Sequence, residues 1–399
     1  MSVLIFLTVL SPYTTVIPSI YATYMMFSKK VIIYKNSWNL SLFLLFIWSI
    51  FVGVLNQSLI SIGAGFVFLM YLCVSVYMQN YCDNEENVEK IYKYLVKFSM
   101  LSAILAIIEK LVFVLFGINI WKPLLVLTNQ PVFMGRIYST FGNPNVAGNW
   151  FAIMVLVGVY FINKASNKKK LFYKFATALF FIALCFTGSR GAYAGLYFGF
   201  FIYNLLRKNK KNMLILLGVF LVGITFSFLS NQAINLDNLT GHDIDDSFAS
   251  RFGIWIGCLK MIKIKPITGW GLMGLLNPEP QFFNDYYYKT MFHGHNIWIT
   301  FLTTLGIVGL GIYLYMKFNL YKNLKILYSR NCRLVPLLAA IQGLIVVHGM
   351  VDFTIMAPQT GLLFIVCSAM VSSLATQRSI ISITNPIQIP VYSSLSKTS

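Results

Sequence analysis

Charge is what this sequence has least of. Only 11% of its 399 residues are charged, and the 31 Lys and Arg face just 12 Asp and Glu. A soluble domain is about a quarter charged, so a water-covered globule is excluded. Histidine is scarce, with four copies, and the six cysteines show no C-x-x-C spacing, which gives neither a disulfide framework nor a metal cage. There is no Gly-rich phosphate loop, no internal repeat and no matched pair of interrupted apolar segments. Those absences argue against a nucleotide-binding domain, a solenoid and an inverted-repeat transporter.

What the chain has instead is hydrocarbon. Hydrophobic residues make up 57% of it, and the mean hydropathy is +0.71. They come in runs long enough to cross roughly 30 Å of lipid as helices. The runs fall near 3–27, 38–55, 59–78, 94–116, 146–163, 171–187, 190–206, 212–229, 295–316, 334–350 and 357–375. The expected fold is an all-α, polytopic transmembrane bundle of about eleven or twelve spans. The first run lacks a basic leader and a small-residue cleavage site, so it reads as a retained helix.

Basic residues orient the bundle. Lys29, Lys30 and Lys35 follow the first run, and Lys164, Lys168, Lys169, Lys170 and Lys174 separate the fifth from the sixth. "RKNKK" (207–211) follows the seventh, and Lys317, Lys322, Lys325, Arg330 and Arg333 lie after the ninth. Alternating spans put all of these on one side, which the positive-inside rule makes cytoplasmic. The net charge of +19 is then an orientation signal, and no nucleic-acid partner is implied. On this count the N-terminus is external, an unusual result that points to a missing or miscounted span.

The unusual residues gather on the outer side. The loop 230–294 is long enough to hold structure of its own. Its "INLDNLTGHDIDDSF" stretch is acidic, with Asp237, Asp243, Asp245 and Asp246 expected in solvent. "SRFGIWIGCLKMIKIKP" (250–266) alternates apolar and basic groups at helical spacing. Phe252, Trp255, Leu259 and Ile262 can share a face, with Ser250 as cap and Pro266 as stop, which predicts an interfacial amphipathic helix.

Three arginines sit on that side beside glycines or helix ends: Arg136, Arg190 and Arg251. A guanidinium stays ionised and offers two phosphate oxygens a planar fork. Snorkelling toward lipid head groups is the plainer alternative. His293 and His295, ahead of the ninth run, suit a proton acceptor for a sugar hydroxyl. The alternatives are an interfacial packing role or a metal site completed by Glu279 or Asp285, although no recognisable spacing supports metal. Asn296 can hold an imidazole or a sugar hydroxyl. His348 and Asp352 stand four apart, able to share one helix face. Glu109 and Lys110, charged inside an apolar run, need partners.

These residues lie in segments that together resemble the O-antigen ligase and O-antigen polymerase superfamily of bacterial polysaccharide assembly. The segments are "STFGNPNVAGN" (139–149), "TGSRGAYAG" (187–195), "SRFGIWIGCLKMIKIKPITGWGLM" (250–273), "HGHNIWITFLTTLGIVGL" (293–310) and "HGMVDF" (348–353). The resemblance divides the chain into N-terminal membrane helices (1–130), a catalytic region (131–376) containing the outer loop, and a cytoplasmic tail (377–399). It implies a GT-C-type inverting glycosyltransferase of the inner membrane that uses neither metal nor cofactor. Its donor would be an oligosaccharide on undecaprenyl diphosphate. Its acceptor would be another lipid-linked repeat unit for a polymerase, the favoured reading, or lipid A-core for a ligase. A chain-length regulator and a flippase are the implied partners. By resemblance, His295 is the base with His293 assisting, Arg190 and Arg251 hold the diphosphate, and Arg136, Asn143 and Asn145 belong to a less defined substrate region. His348 and Asp352, read from their spacing, either extend the same site or serve it with Asp352 only orienting His348. A transporter of lipid-linked glycans is the reading from another class, and it would want polar groups along a midplane path.

Overall fold

The computed structural model describes residues 1–28, 30–127, 135–214, 244–276, 281–283 and 292–384. The expected span at 212–229 falls almost wholly outside them. Asp237, Asp243, Glu279, Asp285 and the end of the tail also lie outside the described residues.

The described chain is helical throughout, with no strand among those residues. Its helices are α1 (Ser2–Leu10), α2 (Val16–Phe27), α3 (Ser37–Leu55), α4 (Leu59–Tyr81), α5 (Glu85–Phe116), α6 (Lys122–Leu127), α7 (Pro144–Lys164), α8 (Asn167–Thr187), α9 (Arg190–Leu206), α10 (Ile244–Ile264), α11 (Ile297–Ser329), α12 (Val335–His348) and α13 (Pro358–Thr384), with a 3₁₀ turn at Thr354–Met356. Seven of them, α3, α4, α5, α7, α8, α11 and α13, are long and apolar enough to cross a membrane. This is the multi-pass helical bundle that the hydropathy pattern predicts. Its centre is α7, whose apolar window is 83% buried and which packs against α5, α8, α9, α12 and α13.

The first predicted span is corrected. Residues 3–27 do not form one helix: Ser11 is extended (φ −164°) and Pro12 supplies no N–H, so the chain turns and α2 runs back beside α1. At the turn, Gln359 Nε2–H of α13 donates to the Val9 carbonyl at 3.3 Å, and Gly142 faces Pro12. Met1 consequently shares a cavity with Ala22 and Ile91. The count behind the external N-terminus took 3–27 as one span, and that stretch is two helices.

The ninth predicted span is longer than expected and broken. Gly306 in α11 has φ 67°, ψ −169°, and the helix hydrogen bonds around it are interrupted. Four of the groups freed there are taken up by other segments. Trp270 N–H and Gly271 N–H donate to the Thr303 and Thr304 carbonyls (3.0 and 2.8 Å), and Trp48 Nε1–H donates to the Leu305 carbonyl at 2.8 Å. Ile307 N–H donates to the Pro266 carbonyl at 2.9 Å. Within hydrocarbon, unsatisfied backbone groups cost several kcal/mol, so the 266–271 segment acts as a plug that makes the break tolerable. Further along α11, Lys317 lies on the helix rather than in a loop and donates to Gln342 at 2.8 Å.

Candidate active site

The site forms where four loops meet at one end of the bundle, and each loop is held by a buried polar tie. The first carries Arg136. Glu109, inside α5, accepts from the Tyr138 and Ser139 N–H groups at 2.9 and 2.7 Å, and Lys110 donates to the Gly135 carbonyl at 2.7 Å. The two charges in the apolar run thus clamp the backbone on either side of Arg136. That arginine donates from Nε to the Thr187 carbonyl, the C-terminal residue of α8, at 2.7 Å. It also donates from a terminal nitrogen to Asn145 Oδ1 at 2.8 Å.

The second loop is the tight link between α8 and α9. Gly188 takes the left-handed conformation (φ 61°) that closes α8, and Arg190 opens α9. Gly191 suits close approach by backbone or by a lipid head group. What approaches it is protein: a Cβ there would stand 2.5 Å from Val351 and 3.1 Å from the His348 ring. Its lack of a side chain lets the turn after α12 sit on the start of α9.

The third loop carries the histidines. Trp255 of α10 donates from Nε1 to the Gly294 carbonyl at 3.0 Å, and Gly294 N–H donates to Thr300 Oγ1 at 3.0 Å. On the other side, Ile297 N–H donates to the Gly349 carbonyl at 2.7 Å, and Asn296 Nδ2–H donates to the Met350 carbonyl at 2.9 Å. Between these ties His295 is forced to φ 47°, a left-handed conformation unusual for a residue with a Cβ. The two imidazoles stand edge to face at 4.4 Å, with His293 Nδ1 accepting from the His295 N–H.

The fourth loop is the turn after α12. His348 ends that helix, so Asp352 does not share a helix face with it as the spacing suggested; Asp352 N–H instead closes a turn onto the His348 carbonyl at 3.1 Å. The carboxylate is buried and accepts from the Phe353 N–H at 2.7 Å. Its partner across the site is His295, with Nδ1 3.4 Å from Asp352 Oδ1.

α10 brings Arg251. The helix begins before Ser250, so Ser250 lies inside it and is not its cap. Its buried face is Ile254, Gly257, Cys258 and Met261, one residue class away from the expected stripe. Phe252, Ile256 and Leu259 form the outward apolar stripe, and Trp255 turns toward the histidine loop. Gly257 sets this rotation, because a Cβ there would meet the Phe283 ring at 2.0 Å.

Arg136, Arg190, Arg251, His293, His295, His348 and Asp352 therefore share one electrostatic neighbourhood. Burial holds the Arg136 guanidinium down to about 10, with Arg251 and Arg190 adding to the effect and Tyr138 and Asp352 opposing it. Arg251 is lowered by burial and by Arg190, against Asp352. Burial and then His295 hold His293 down to about 4, so it is neutral at physiological pH. For Asp352, burial alone would raise the pKa, but His295, His293 and His348 bring it below the usual carboxylate range. Among the described residues, three guanidinium cations gather around one carboxylate, and such a cluster favours an anion.

Two expected substrate contacts have other occupations. Asn143 caps α7, its side-chain oxygen accepting from Asn145 N–H, and Asn296 caps α11, accepting from the Trp298 and Ile299 N–H groups. The ligand atoms of His293, His295 and Asp352 lie within 4.8 Å of one another, a set that could hold a metal ion. The surrounding arginines make a further dication costly there. Sequence reasoning missed Thr354 and Asn149, which are joined by a 2.7 Å hydrogen bond behind the site. Asn149 closes the "STFGNPNVAGN" segment, and Thr354 follows "HGMVDF" directly, so both stood at the edge of recognised motifs.

Fold and site together define a multi-pass membrane protein with a cluster of arginines and histidines at one end of its helices. Residues 175–314, about a third of the chain, match the O-antigen ligase family model and are similar to that family. The match takes in Arg190, Arg251, His293 and His295, and it implies a glycosyltransferase-like membrane activity of the ligase or polymerase kind. No curated protein matches the chain.

Proposed function

We propose that this protein transfers an oligosaccharide from undecaprenyl diphosphate to an acceptor sugar hydroxyl at the outer face of the bacterial inner membrane. The convergence of Arg136 and Arg251 on Asp352, the partner of His295, with Arg190 acting on both arginines, is the observation that carries this reading. In the reaction, the acceptor oxygen attacks the anomeric carbon while its proton passes to His295. The bond from that carbon to the diphosphate oxygen breaks, and its electron pair leaves with the diphosphate. A single displacement of this kind inverts the anomeric centre. The arginines hold the charge that develops on the leaving group, the role of a preorganised electrostatic site. Asp352 faces His295 Nδ1, which directs the other ring nitrogen to the acceptor. The mechanism asks nothing of a metal.

The acceptor is taken to be a second lipid-linked repeat unit, which makes the protein a polymerase of O-antigen, capsular or exopolysaccharide chains that works beside a chain-length regulator and a flippase. The family's description favours a second reading, ligation to lipid A-core. In vitro transfer from a lipid-diphosphate donor separates these by product: lengthened lipid-linked glycan for the polymerase, glycosylated lipid A-core for the ligase. The site itself is tested with Arg190→Lys and Arg251→Lys, which keep charge but lose the bidentate fork. Each should cost about 2–4 kcal/mol of transition-state stabilisation, and transfer at the unsubstituted rate in both would overturn the diphosphate role.

A further inference from the structure

Behind the arginines a short hydrogen-bonded chain ends on His348. Asn149, from the central helix α7, is 2% exposed, and its Nδ2–H donates to Thr354 Oγ1 at 2.7 Å. Thr354 Oγ1 in turn lies 3.2 Å from His348 Nδ1. A hydroxyl has one proton to give and two lone pairs to offer. Asn149 occupies one lone pair, which leaves the hydroxyl its proton and one lone pair to meet His348 Nδ1. A neutral imidazole whose Nδ1 accepts carries its own proton on Nε2.

That second nitrogen faces the beginning of α9. It stands 3.5 Å from the position a Cβ on Gly191 would occupy, and no described group hydrogen-bonds to it, although His348 is 1% exposed. α9 is a 17-residue helix whose N-cap, Ser189, makes no side-chain cap hydrogen bond; its buried Oγ has no partner. The Arg190 and Gly191 N–H groups at the start of α9 and His348 Nε2 thus stand at the same helix end, while Ala192 N–H already donates to the Ser189 carbonyl at 3.0 Å. A phosphate oxygen brought to that end would meet donors from the helix start and from His348. A neutral N–H suits this position, because a fourth cation beside Arg136, Arg190 and Arg251 would be repelled by them.

We propose that Asn149 and Thr354 are positioning residues that hold His348 as its Nε2–H tautomer, so that His348 donates to a phosphate oxygen at the N-terminus of α9. The tautomer stands independently of the transferase reading; the identity of the phosphate as that of the lipid-linked donor rests on it.

The chain's four histidines make the test direct. In ¹⁵N-histidine-labelled, full-length protein in lipid nanodiscs, the His348 signals are identified by their loss in His348→Gln. The expected result is an Nε2–H tautomer in the unsubstituted protein and in Thr354→Ser. In Asn149→Asp the new carboxylate takes the Thr354 hydroxyl proton, leaving Oγ1 to accept, and His348 should switch to Nδ1–H. An Nδ1–H tautomer in the unsubstituted protein, or no switch in Asn149→Asp, overturns the proposal. Farnesyl diphosphate should shift the His348 Nε2 resonance, and an unmoved signal up to millimolar concentration overturns the donor role. In transfer assays, Thr354→Val should lower turnover about 10–100-fold, as outer-shell substitutions do, and Thr354→Ser should restore it; equal losses in both variants would overturn the relay. The NMR readouts require no transfer, so a protein that gives them without moving glycan would defeat the transferase reading alone.

Discussion

His295 Nδ1 lies 3.4 Å from Asp352 Oδ1, although one residue precedes α11 and the other follows α12. The pair is held at both ends by backbone. Ile297 N–H and the Asn296 side chain tie the histidine loop to the Gly349 and Met350 carbonyls, and Asp352 N–H closes its own turn on His348. His295 retains 31% of its side-chain exposure while the carboxylate retains 7%. That asymmetry suits an imidazole presented to substrate and a carboxylate that serves it from behind.

From this geometry, His295→Ala should slow transfer by roughly 10²–10⁴ with donor binding largely intact. Asp352→Asn should cost less, about 10–100-fold, because the base remains but loses its orienting charge. Single-turnover transfer measured beside donor binding distinguishes the two effects. Equal and complete loss of donor binding in both variants would instead make the pair a binding element.

The break in α11 should be a point of fragility. In Gly306→Ala the added Cβ would stand 2.1 Å from the Ile267 carbonyl oxygen, on a backbone at φ 67° that L-residues rarely adopt. Either the plug withdraws or the helix re-forms, and both leave carbonyls without partners. A loss of about 1–3 kcal/mol or more is expected from the backbone strain alone, read as a lower melting midpoint in detergent. Unchanged stability would show that the break is not required.

Acid should weaken the folded site through His293. Its folded value, held down to about 4, lies below the free value of 6.5, so the fold prefers the neutral ring. The stability linked to that preference is complete above about pH 6.5 and is lost as pH falls toward about 4. Asp352 acts in a lower window: its pKa is depressed, so its contribution is present above the usual carboxylate value and lost below it. His293→Asn should therefore lose less melting midpoint than the unsubstituted protein between about pH 7 and about pH 4.5. Parallel curves would contradict the assignment.

Chelation should leave transfer unchanged. His293, His295 and Asp352 could hold an ion, but the proposed chemistry places the arginines where a metal would otherwise stabilise the diphosphate. Loss of activity in EDTA, recovered with a divalent ion, would move this triad from base to metal centre.

Much of the bundle was legible because lipid imposes a simple demand: a spanning helix must be long and apolar, and hydropathy alone marks where α3, α4, α7 and α8 lie. The local signals at their ends were not read as such: Asn36 caps α3, and Asn143, expected at the substrate, caps α7. The arginines and histidines could be nominated from their side-chain chemistry and their place beside recognised motifs. What remained hidden were relationships whose partners are distant in sequence. No local period reveals that α1 turns back at Ser11, that Trp48 and Gly271 satisfy the carbonyls freed at Gly306, or that Glu109 holds the loop bearing Arg136. Phe252 and Leu259 of the expected stripe share the outward apolar face of α10, but that Phe283 lies against Gly257 on its buried face could not be read locally. Hydrophobic length is a property of a segment, and the sequence determines it directly. Which buried polar group meets which is decided only when the helices pack, because each needs a partner that its own segment does not supply.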